Sequence, residues 1–245
     1  MKKGRLYLIA CWLSQDSPPQ SVVPAAALER VRALGTFVVE NAKSARAFLA
    51  ACAHPRPLRE ITMRELNEHT PDEKVAELLE PARAGEDLGL LSDAGAPAVA
   101  DPGARLVAAA HAEGIDVVPL AGPSSIVLAL MASGLEGQRF RFLGYLPARG
   151  PERRAKLAEI ERHSARHGET QIFIETPYRN DDLLEDIVAT CRPPTRLAIA
   201  VDLTAPTEWI CMQPIERWRQ SKKTIGKHPA IFLLLGSDPK PRIGV

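Results

Sequence analysis

The stretch that most constrains the fold of this chain is LLSDAGAPAVADPG, residues 90–103, which is echoed by VVPLAGPSS, residues 117–125. Each begins on a short apolar run and then breaks into glycine, proline and small polar residues. This order is typical of a buried strand that ends in a tight loop. In open α/β sheets, ligands bind in the crevice beside the carboxyl ends of the strands. We therefore predict two adjacent parallel strands whose loops share one ligand pocket.

The residues of the first loop suit close contact with a ligand. Gly95 and Gly103 let the backbone approach a bound molecule closely, and two prolines restrict the chain around them. Asp93 and Asp101 add carboxylates that can accept hydrogen bonds from hydroxyl, amine or backbone N–H groups. The loop is therefore interpreted as a rigid binding loop.

Strand and helix patterns alternate along the first half of the chain, which predicts a mostly parallel sheet covered on both faces. The first apolar segment, residues 5–12, follows two lysines as a secretion signal would. Arg5 interrupts its start, so a first strand is the better interpretation. A second α/β domain follows, and the predicted division is into residues 1–138 and 139–245.

Composition limits the classes of function. The net charge is +1, from 31 basic and 30 acidic residues, and only 5% of residues are aromatic. A net charge this close to zero does not attract nucleic acid by itself, although a local basic patch is still compatible with it. The four cysteines show no metal-binding spacing and predict buried, reduced thiols in a cytoplasmic protein. The histidines show no ligand spacing either, and no apolar run approaches a membrane span, so neither metal nor membrane is expected.

Three further motifs follow the two loops in order: RFLGYLPARG at 141–150, FIETPYR at 173–179 and AVDLT at 200–204. The ordered set resembles the S-adenosyl-L-methionine (SAM)-dependent tetrapyrrole methylase superfamily. Within it, the chain is most similar to the 16S ribosomal RNA cytidine 2′-O-methyltransferases, as a short paralogue. The resemblance implies two α/β domains with SAM in the cleft between them, a homodimer, and a ribosomal RNA ribose 2′-hydroxyl, on the small ribosomal subunit, as methyl acceptor.

Matched motif by motif, the resemblance also implies which residues line the SAM site. They are small or polar residues at the strand tips: Ser92, Asp93, Ala94, Gly95, Asp101, Ala121, Gly122, Pro123, Ser124, Ser125, Tyr145, Leu146, Leu203, Thr204, Pro229 and Ala230.

Three carboxylates at predicted strand tips are candidates for catalysis: Asp93, Glu175 and Asp202. A hydroxyl acceptor reacts faster when a base removes its proton, so we expect one of them to act as base or to hold the acceptor. For Asp93, binding of the cofactor is favoured over the role of base.

The chain departs from the ribosomal RNA enzymes at three places. Its first loop reads ACWLSQ at 10–15, its acidic segment reads ENAKS at 40–44, and Ala205 stands where a lysine is expected. These departures and the low net charge keep two alternatives open. One is methylation of a small tetrapyrrole-like molecule, and the other is a degenerate SAM-binding module without catalysis.

Several other side chains have ordinary structural interpretations beside functional ones. Glu175 and Arg179 could form a surface ion pair instead of contributing to the site. Arg149, Arg153 and Arg154 could steer a phosphate-bearing substrate, but a solvated helix start is the commoner outcome. Three tryptophans are expected in the core or at a dimer interface: Trp12, Trp209 and Trp218.

Overall fold

The computed structural model describes residues 2–237. The chain forms two compact units, one ending at Ser124 and the other beginning at Ser125. This division lies earlier than the boundary predicted after residue 138. The reason is that the helix Ser125–Ser133 packs against three strands of the second unit.

The first unit is a five-stranded sheet with helices between its strands. Its strands are β1 (Leu6–Ile9), β2 (Thr36–Val39), β3 (Thr62–Glu65), β4 (Leu88–Leu91) and β5 (Val117–Pro119). Its helices are α1 (Pro19–Val22), α2 (Ala25–Ala33), α3 (Ala42–Ala51), α4 (Asp72–Val75), α5 (Glu80–Arg83) and α6 (Gly103–Ala112), with 3-10 turns at Leu58–Glu60 and Ala76–Leu79. The strand order is β3-β2-β4-β1-β5 and every pairing is parallel, which confirms the predicted parallel sheet.

The prediction that the strands before the two glycine-rich loops are adjacent is wrong. β1 lies between β4 and β5, and Leu8 of β1 pairs with Leu90 on one side and Pro119 on the other. Because all three strands are parallel, their loops still leave the same edge of the sheet. The loop after β1 therefore lies at that edge, between the two glycine-rich loops.

Alternate residues of each strand enter different cores, as a sheet covered on both faces requires. In β2, Phe37 packs with α2 and α3 residues, whereas Val38 packs in the cluster on the opposite face. Gly89 of β4 makes room for this packing, since a Cβ there would lie 2.5 Å from the Phe37 ring. The thiols of Cys11, Cys52 and Cys191 are buried as predicted, but Cys211 is only partly buried.

The second unit is a mixed sheet of five strands, again with helices. Its helices are α7 (Ser125–Ser133), α8 (Gly150–His167), α9 (Asn180–Thr190) and α10 (Ile215–Trp218), with a 3-10 turn at Pro177–Arg179. Its strands are β6 (Phe140–Tyr145), β7 (Thr170–Ile174), β8 (Arg196–Val201), β9 (Trp209–Pro214) and β10 (Ala230–Leu235). The order is β6-β7-β10-β8-β9, in which β6 and β7 are parallel and the other pairs antiparallel. Two α/β units are thus present, as the sequence predicted.

The central strand of the second unit, β10, is fully buried. Phe232 stacks on Phe173 of β7 with ring centroids 5.8 Å apart. Helix α8 ends at Gly168, whose φ of 60° supplies the left-handed cap that only glycine adopts without cost. Among residues 2–237, no helix is both long and apolar enough to cross a membrane.

Candidate functional site

Three loops of the first unit meet at the carboxyl edge of its sheet. Cys11, just after β1, forms two backbone hydrogen bonds with Gly95 of the loop after β4, at 2.9 and 3.2 Å. Gly122, in the loop after β5, lies so close to the first loop that a Cβ there would be 2.6 Å from the Cβ of Ala10. The structure therefore joins both glycine-rich loops to the loop after β1.

The loop after β4 has a strained backbone. Ala98 and Ala100 have φ angles of 65° and 63°, in the left-handed region that costs an alanine about 1 kcal/mol or more. The Oδ1 atom of Asp101 holds this conformation by accepting hydrogen bonds from the N–H groups of Ala98 and Gly103, at 3.0 and 2.7 Å. Strained backbone of this kind persists only where surrounding contacts hold it, and it is found most often at ligand sites.

The second oxygen of Asp101 is an unsatisfied acceptor. Its Oδ2 atom is buried and has no hydrogen-bond partner among the described residues. Burial raises the pKa of Asp101 above its ordinary value, while the N–H groups of Gly103 and Ala98 oppose this shift. A buried acceptor without a partner costs free energy, which a donor on a ligand would recover.

Asp93 lies exposed beside two residues of the segment 40–44, which the sequence marked only as a departure from the ribosomal RNA enzymes. Its Oδ1 accepts a hydrogen bond from Ser44 Oγ at 2.5 Å, and its N–H donates to Glu40 Oε2 at 3.1 Å. Burial raises the pKa of Glu40, and the Asp93 N–H lowers it in part. Asn41, between them in sequence, caps α3 by accepting from the Lys43 N–H at 2.8 Å. In the sequence, the only sign that these residues matter was the altered segment 40–44, and the sequence did not show that this segment contacts Asp93.

In the second unit, the turn after β8 carries two more left-handed residues. Asp202 has a φ of 51° and Thr204 a φ of 73°. The Asp202 N–H donates to the Pro229 carbonyl at 3.0 Å, so this turn lies against the entry to β10. The predicted residues Leu203 and Ala230 are buried beside it. The structure thus brings together the predicted residues of both segments.

A histidine that the motifs did not mark completes this turn. His228 Nδ1 lies 2.7 Å from Asp202 Oδ2, and Thr207 Oγ1 donates to the same oxygen at 2.7 Å. The Asp202 side chain is 10% exposed, whereas the His228 side chain is 55% exposed. The sequence placed His228 directly before the predicted Pro229, but gave no sign that it faces Asp202.

Glu175 is held in a buried ion-pair network and not at the surface. Its Oε1 accepts hydrogen bonds from the Thr176 N–H at 2.7 Å and from Arg179 Nη2 at 2.6 Å. Arg153 Nη1 lies 3.9 Å from its other oxygen, and both side chains are almost completely buried. Of the two interpretations left open, the surface ion pair is therefore wrong, because Glu175 does pair with Arg179 but its carboxylate is fully enclosed.

The basic residues at the start of α8 differ from one another. Arg153 is buried and donates to Asp186 Oδ2 at 2.6 Å, and Arg154 donates to the other oxygen of Asp186 at 2.7 Å. Arg149 stays exposed, 3.6 Å from Glu152. Arg153 therefore fits neither of the two interpretations from the sequence, a solvated helix start or the steering of a phosphate, because its guanidinium is buried inside the second unit.

The remaining predicted side chains are an exposed tyrosine and the tryptophans. Tyr145 is 61% exposed at the end of β6, and Leu146 after it is buried. Trp12 is buried edge-on against Phe48, as a core residue. Trp218 is also buried, and its Nε1 donates a hydrogen bond to the Leu197 carbonyl at 3.1 Å. Trp209 is half-buried, and Lys223 Nζ lies 3.5 Å from the centre of its ring in a cation–π contact.

Comparison with known proteins identifies the family. The model of the family described as Tetrapyrrole (Corrin/Porphyrin) Methylases matches residues 23–217. The chain belongs to this family. Among the residues described in this methylase-family chain, no group of three or more His, Cys, Asp or Glu side chains is arranged to hold a metal ion.

Several curated relatives of this methylase-family chain share one name. Ribosomal RNA small subunit methyltransferase I of Vibrio cholerae is 37% identical over 150 residues, which cover 61% of this chain and 51% of that protein. The protein of the same name from Xylella fastidiosa is 38% identical over 169 residues, or 69% of this chain and 58% of that protein. The match thus spans about half the length of such relatives.

Solved structures share the fold of this methylase-family chain. The methyltransferase CobJ has a TM-score of 0.62 at 19% identity, covering 98% of this chain and 97% of that one. Uroporphyrin-III-C-methyltransferase from Thermus thermophilus has a TM-score of 0.56 at 19% identity, covering 95% of this chain and 94% of that one. The two-unit α/β architecture is therefore that of the family.

Proposed function

We propose that this chain is a SAM-dependent methyltransferase that methylates a ribose 2′-hydroxyl of small-subunit ribosomal RNA. The observation that carries the proposal is the meeting of the loops after β1, β4 and β5, in a chain of the tetrapyrrole methylase family. The name shared by the curated relatives supports ribosomal RNA as the acceptor.

The first unit offers a fitting surface for SAM. Gly122 and Gly95 let the three loops pack closely at the strand tips, because a Cβ at Gly122 would lie 2.6 Å from Ala10 and one at Gly95 would lie 3.2 Å from Leu13. The buried Oδ2 of Asp101 is an acceptor that still needs a donor, and Asp93 presents a carboxylate at the surface. SAM supplies a methyl group on a positively charged sulfur, and its hydroxyl and amine groups are donors that match these carboxylates.

The rest of the predicted SAM-binding set is proposed on the same grounds. Ser92 is buried, and its hydroxyl donates to the Ala94 carbonyl at 3.2 Å, which fixes the tip after β4. Ala94 lies in the loop after β4, and the others lie in the loop after β5, at the start of α7 or at the strand ends of the second unit: Ala121, Pro123, Ser124, Ser125, Tyr145, Leu146, Leu203, Thr204, Pro229 and Ala230.

The three candidate carboxylates differ in their suitability for proton transfer. Glu175 is enclosed and bound to Arg179, so its best-supported role is structural. Asp93 is bound to Ser44 and fits the binding of cofactor better than the removal of a proton. Asp202 is the remaining candidate, and it faces a partly exposed imidazole.

A homodimer acting on the small ribosomal subunit in the cytoplasm completes the proposal. Helix α7 carries exposed apolar side chains, including Met131, which is 75% exposed, and Val127. Exposed apolar surface of this kind is typical of a protein–protein interface. Sedimentation of the purified protein would give a dimer mass if the proposal holds and a monomer mass if it fails.

Binding of the cofactor can be tested by calorimetry with SAM. The Asp93→Asn substitution removes the charge and keeps the shape of the side chain, so we expect affinity for SAM to fall by about tenfold. The Asp116→Asn variant is a matched control, since Asp116 is an exposed carboxylate directly before β5, at the opposite edge of the sheet. Equal affinity in the Asp93 variant and the wild type would remove Asp93 from the site.

A small tetrapyrrole-like acceptor is the second candidate function. It is favoured by the net charge of only +1, which provides little general attraction for RNA. Methyl transfer from labelled SAM should therefore be measured in parallel on undermethylated 30S subunits and on a small tetrapyrrole. Label in the RNA alone supports the leading proposal, label in the small ring alone supports the second, and SAM binding with neither supports a degenerate module.

A further inference from the structure

Two of the three tyrosines of this chain lie exposed at one edge of the second sheet. Tyr145 ends β6 and pairs in register with Ile174, the last residue of β7. Tyr178 lies in the 3-10 turn that follows β7 and is 68% exposed. Since β6 and β7 run parallel, both rings lie where these strands end. Large exposed rings that share one edge are typical of a binding surface.

A guanidinium group lies over the ring of Tyr178. The Cζ atom of Arg179 is 5.5 Å from the centre of that ring. Nε and Nη2 of Arg179 donate to Glu175 Oε1 at 3.0 and 2.6 Å, and the Glu175 carboxylate is fully enclosed. The cation beside the ring is therefore held in place before any ligand binds. Such preorganisation lowers the entropic cost of binding.

The arginines around this turn outnumber the carboxylates that bind them. Arg153, Arg154 and Arg179 share two almost enclosed carboxylates, those of Glu175 and Asp186. Three positive charges against two negative ones leave the group with a net positive charge. The Arg154 side chain is half-exposed, so part of this charge faces the solvent.

A basic segment of the chain is tied to the same turn. Residues 219–228 contain four Lys or Arg residues and no Asp or Glu. Asn180, which begins α9 directly after the turn, donates to the carbonyls of Gly226 and His228 at 3.4 and 2.7 Å. These two residues flank Lys227, which is exposed. The backbone of Lys227 is thus fixed beside the exposed ring and adds a further positive charge there.

We propose that Tyr178 and Arg179 form a stacking platform for a base of single-stranded RNA, and that Lys227 binds a phosphate beside it. Unpaired RNA bases stack on aromatic rings and on guanidinium planes. The phosphates that join them are neutralised by basic side chains. Single-stranded RNA is the ligand that offers both a flat ring and a negative charge at this spacing, so it matches both halves of the surface.

This inference rests on the proposed function, because RNA is the acceptor proposed there. The sequence left room for a local basic patch in a chain whose net charge is only +1. The second unit supplies such a patch next to an exposed ring, through contacts that lie entirely within that unit.

The stacking platform is tested by fluorescence anisotropy with a labelled single-stranded oligoribonucleotide of about ten nucleotides. We expect the affinity of Tyr178→Ala to fall by about tenfold, while Tyr178→Phe keeps the ring and binds as the wild type does. Phe140→Ala is the matched control, since Phe140 is an exposed ring at the opposite end of β6 from Tyr145. An RNA duplex of the same sequence should bind all four proteins equally, because its bases are stacked on one another. Wild-type affinity of Tyr178→Ala for the single strand would overturn the inference.

The phosphate contact is tested by the salt dependence of the same binding. Lys227→Ala should lower the slope of log affinity against log salt by about 0.7, which is the contribution of one phosphate contact on a single strand. Tyr178→Ala should keep the wild-type slope, because stacking involves no counterion. Lys74→Ala, at an exposed lysine of the first unit, is the control and should also keep it. An unchanged slope in Lys227→Ala would overturn the role of that residue.

Two other occupants of the platform are outcomes of the same experiment. The adenine of SAM is also a flat base, so a loss of affinity for SAM in Tyr178→Ala, with RNA affinity unchanged, would overturn the inference in favour of the cofactor. A change from dimer to monomer mass in that variant, again with RNA affinity unchanged, would overturn it in favour of an interface between two copies.

The inference and the proposed function fail in different ways. If the wild type binds the oligoribonucleotide through Tyr178 but transfers no methyl group to 30S subunits, the proposed function has failed and the stacking platform stands. If Tyr178→Ala binds the oligoribonucleotide and methylates 30S subunits as the wild type does, the platform has failed and the proposed function stands.

Discussion

At the scale of single residues, Glu175 is the clearest case of a predicted catalytic carboxylate with a strong structural role. It joins Arg153 and Arg179 inside the second unit. We expect Glu175→Ala to lower the free energy of unfolding by roughly 3 kcal/mol, because Arg179 loses its carboxylate and the buried Arg153 keeps only Asp186 as a charge partner. Urea denaturation followed by circular dichroism measures this change.

The control for Glu175 is Glu159, whose ion pair with Lys156 lies on the surface. Glu159→Ala should leave the urea midpoint nearly unchanged, since exposed ion pairs contribute little. A Glu175→Ala protein as stable as the wild type, but without methyl transfer, would return Glu175 to the list of candidate bases.

Individual residues also show what the sequence could and could not reveal. Asp202 and Pro229 were predicted at strand tips, and the structure joins them by a backbone hydrogen bond. The interaction of Asp202 with His228 could not be predicted, because it depends on β8 and β10 being neighbours in the sheet. A local pattern locates the end of a strand but says nothing of the side chain that faces it from another strand.

At the scale of elements, the close approach of the loops after β1 and β5 should be essential for binding SAM. In Gly122→Ala, the new Cβ would lie 2.6 Å from Ala10 Cβ, so the two loops must move apart. Because overpacking of this kind costs about 1–3 kcal/mol, we expect affinity for SAM to fall by roughly tenfold or more in calorimetry. Gly137→Ala is the control, since a Cβ at Gly137 meets nothing within 4 Å; equal affinities in all three proteins would contradict the placement of the site.

The order of the strands was the element-scale feature that the sequence did not contain. The apolar runs before both glycine-rich loops correctly predicted β4 and β5, because burial and turn residues are local signals. The insertion of β1 between them follows from how the connecting helices cross the sheet, and no local pattern records it. Consequently, the contact of Cys11 with Gly95 at the site was not anticipated.

At the scale of the whole molecule, the buried thiols report on global unfolding. Burial raises the pKa of Cys52 and of Cys191 to about 12, and it also raises that of Cys11. At pH 8, only on the order of one in ten thousand of such thiols is ionised, so the folded protein should react with Ellman's reagent chiefly at Cys211. Rapid reaction of all four thiols without denaturant would contradict this packing.

The same pKa shifts predict how stability depends on pH. A thiol whose pKa is raised on folding binds its proton more tightly in the folded state than in the unfolded state. Stability is therefore constant below the unfolded pKa, near 8.5, and falls as the pH rises above it. Thermal unfolding between pH 7 and pH 10 should show a falling Tm over the upper part of this range, and a constant Tm would contradict the shifts.

The most direct measurement of the central claim, SAM-dependent methylation of a ribose in small-subunit RNA, is nucleoside analysis after transfer. Undermethylated 30S subunits are incubated with the protein and methyl-labelled SAM, and the RNA is digested to nucleosides for mass spectrometry. We predict a labelled nucleoside whose methyl group is on the ribose, and none when SAM is omitted. Label on a base, or no label under conditions where a ribosomal RNA small subunit methyltransferase I labels the same subunits, would contradict the claim.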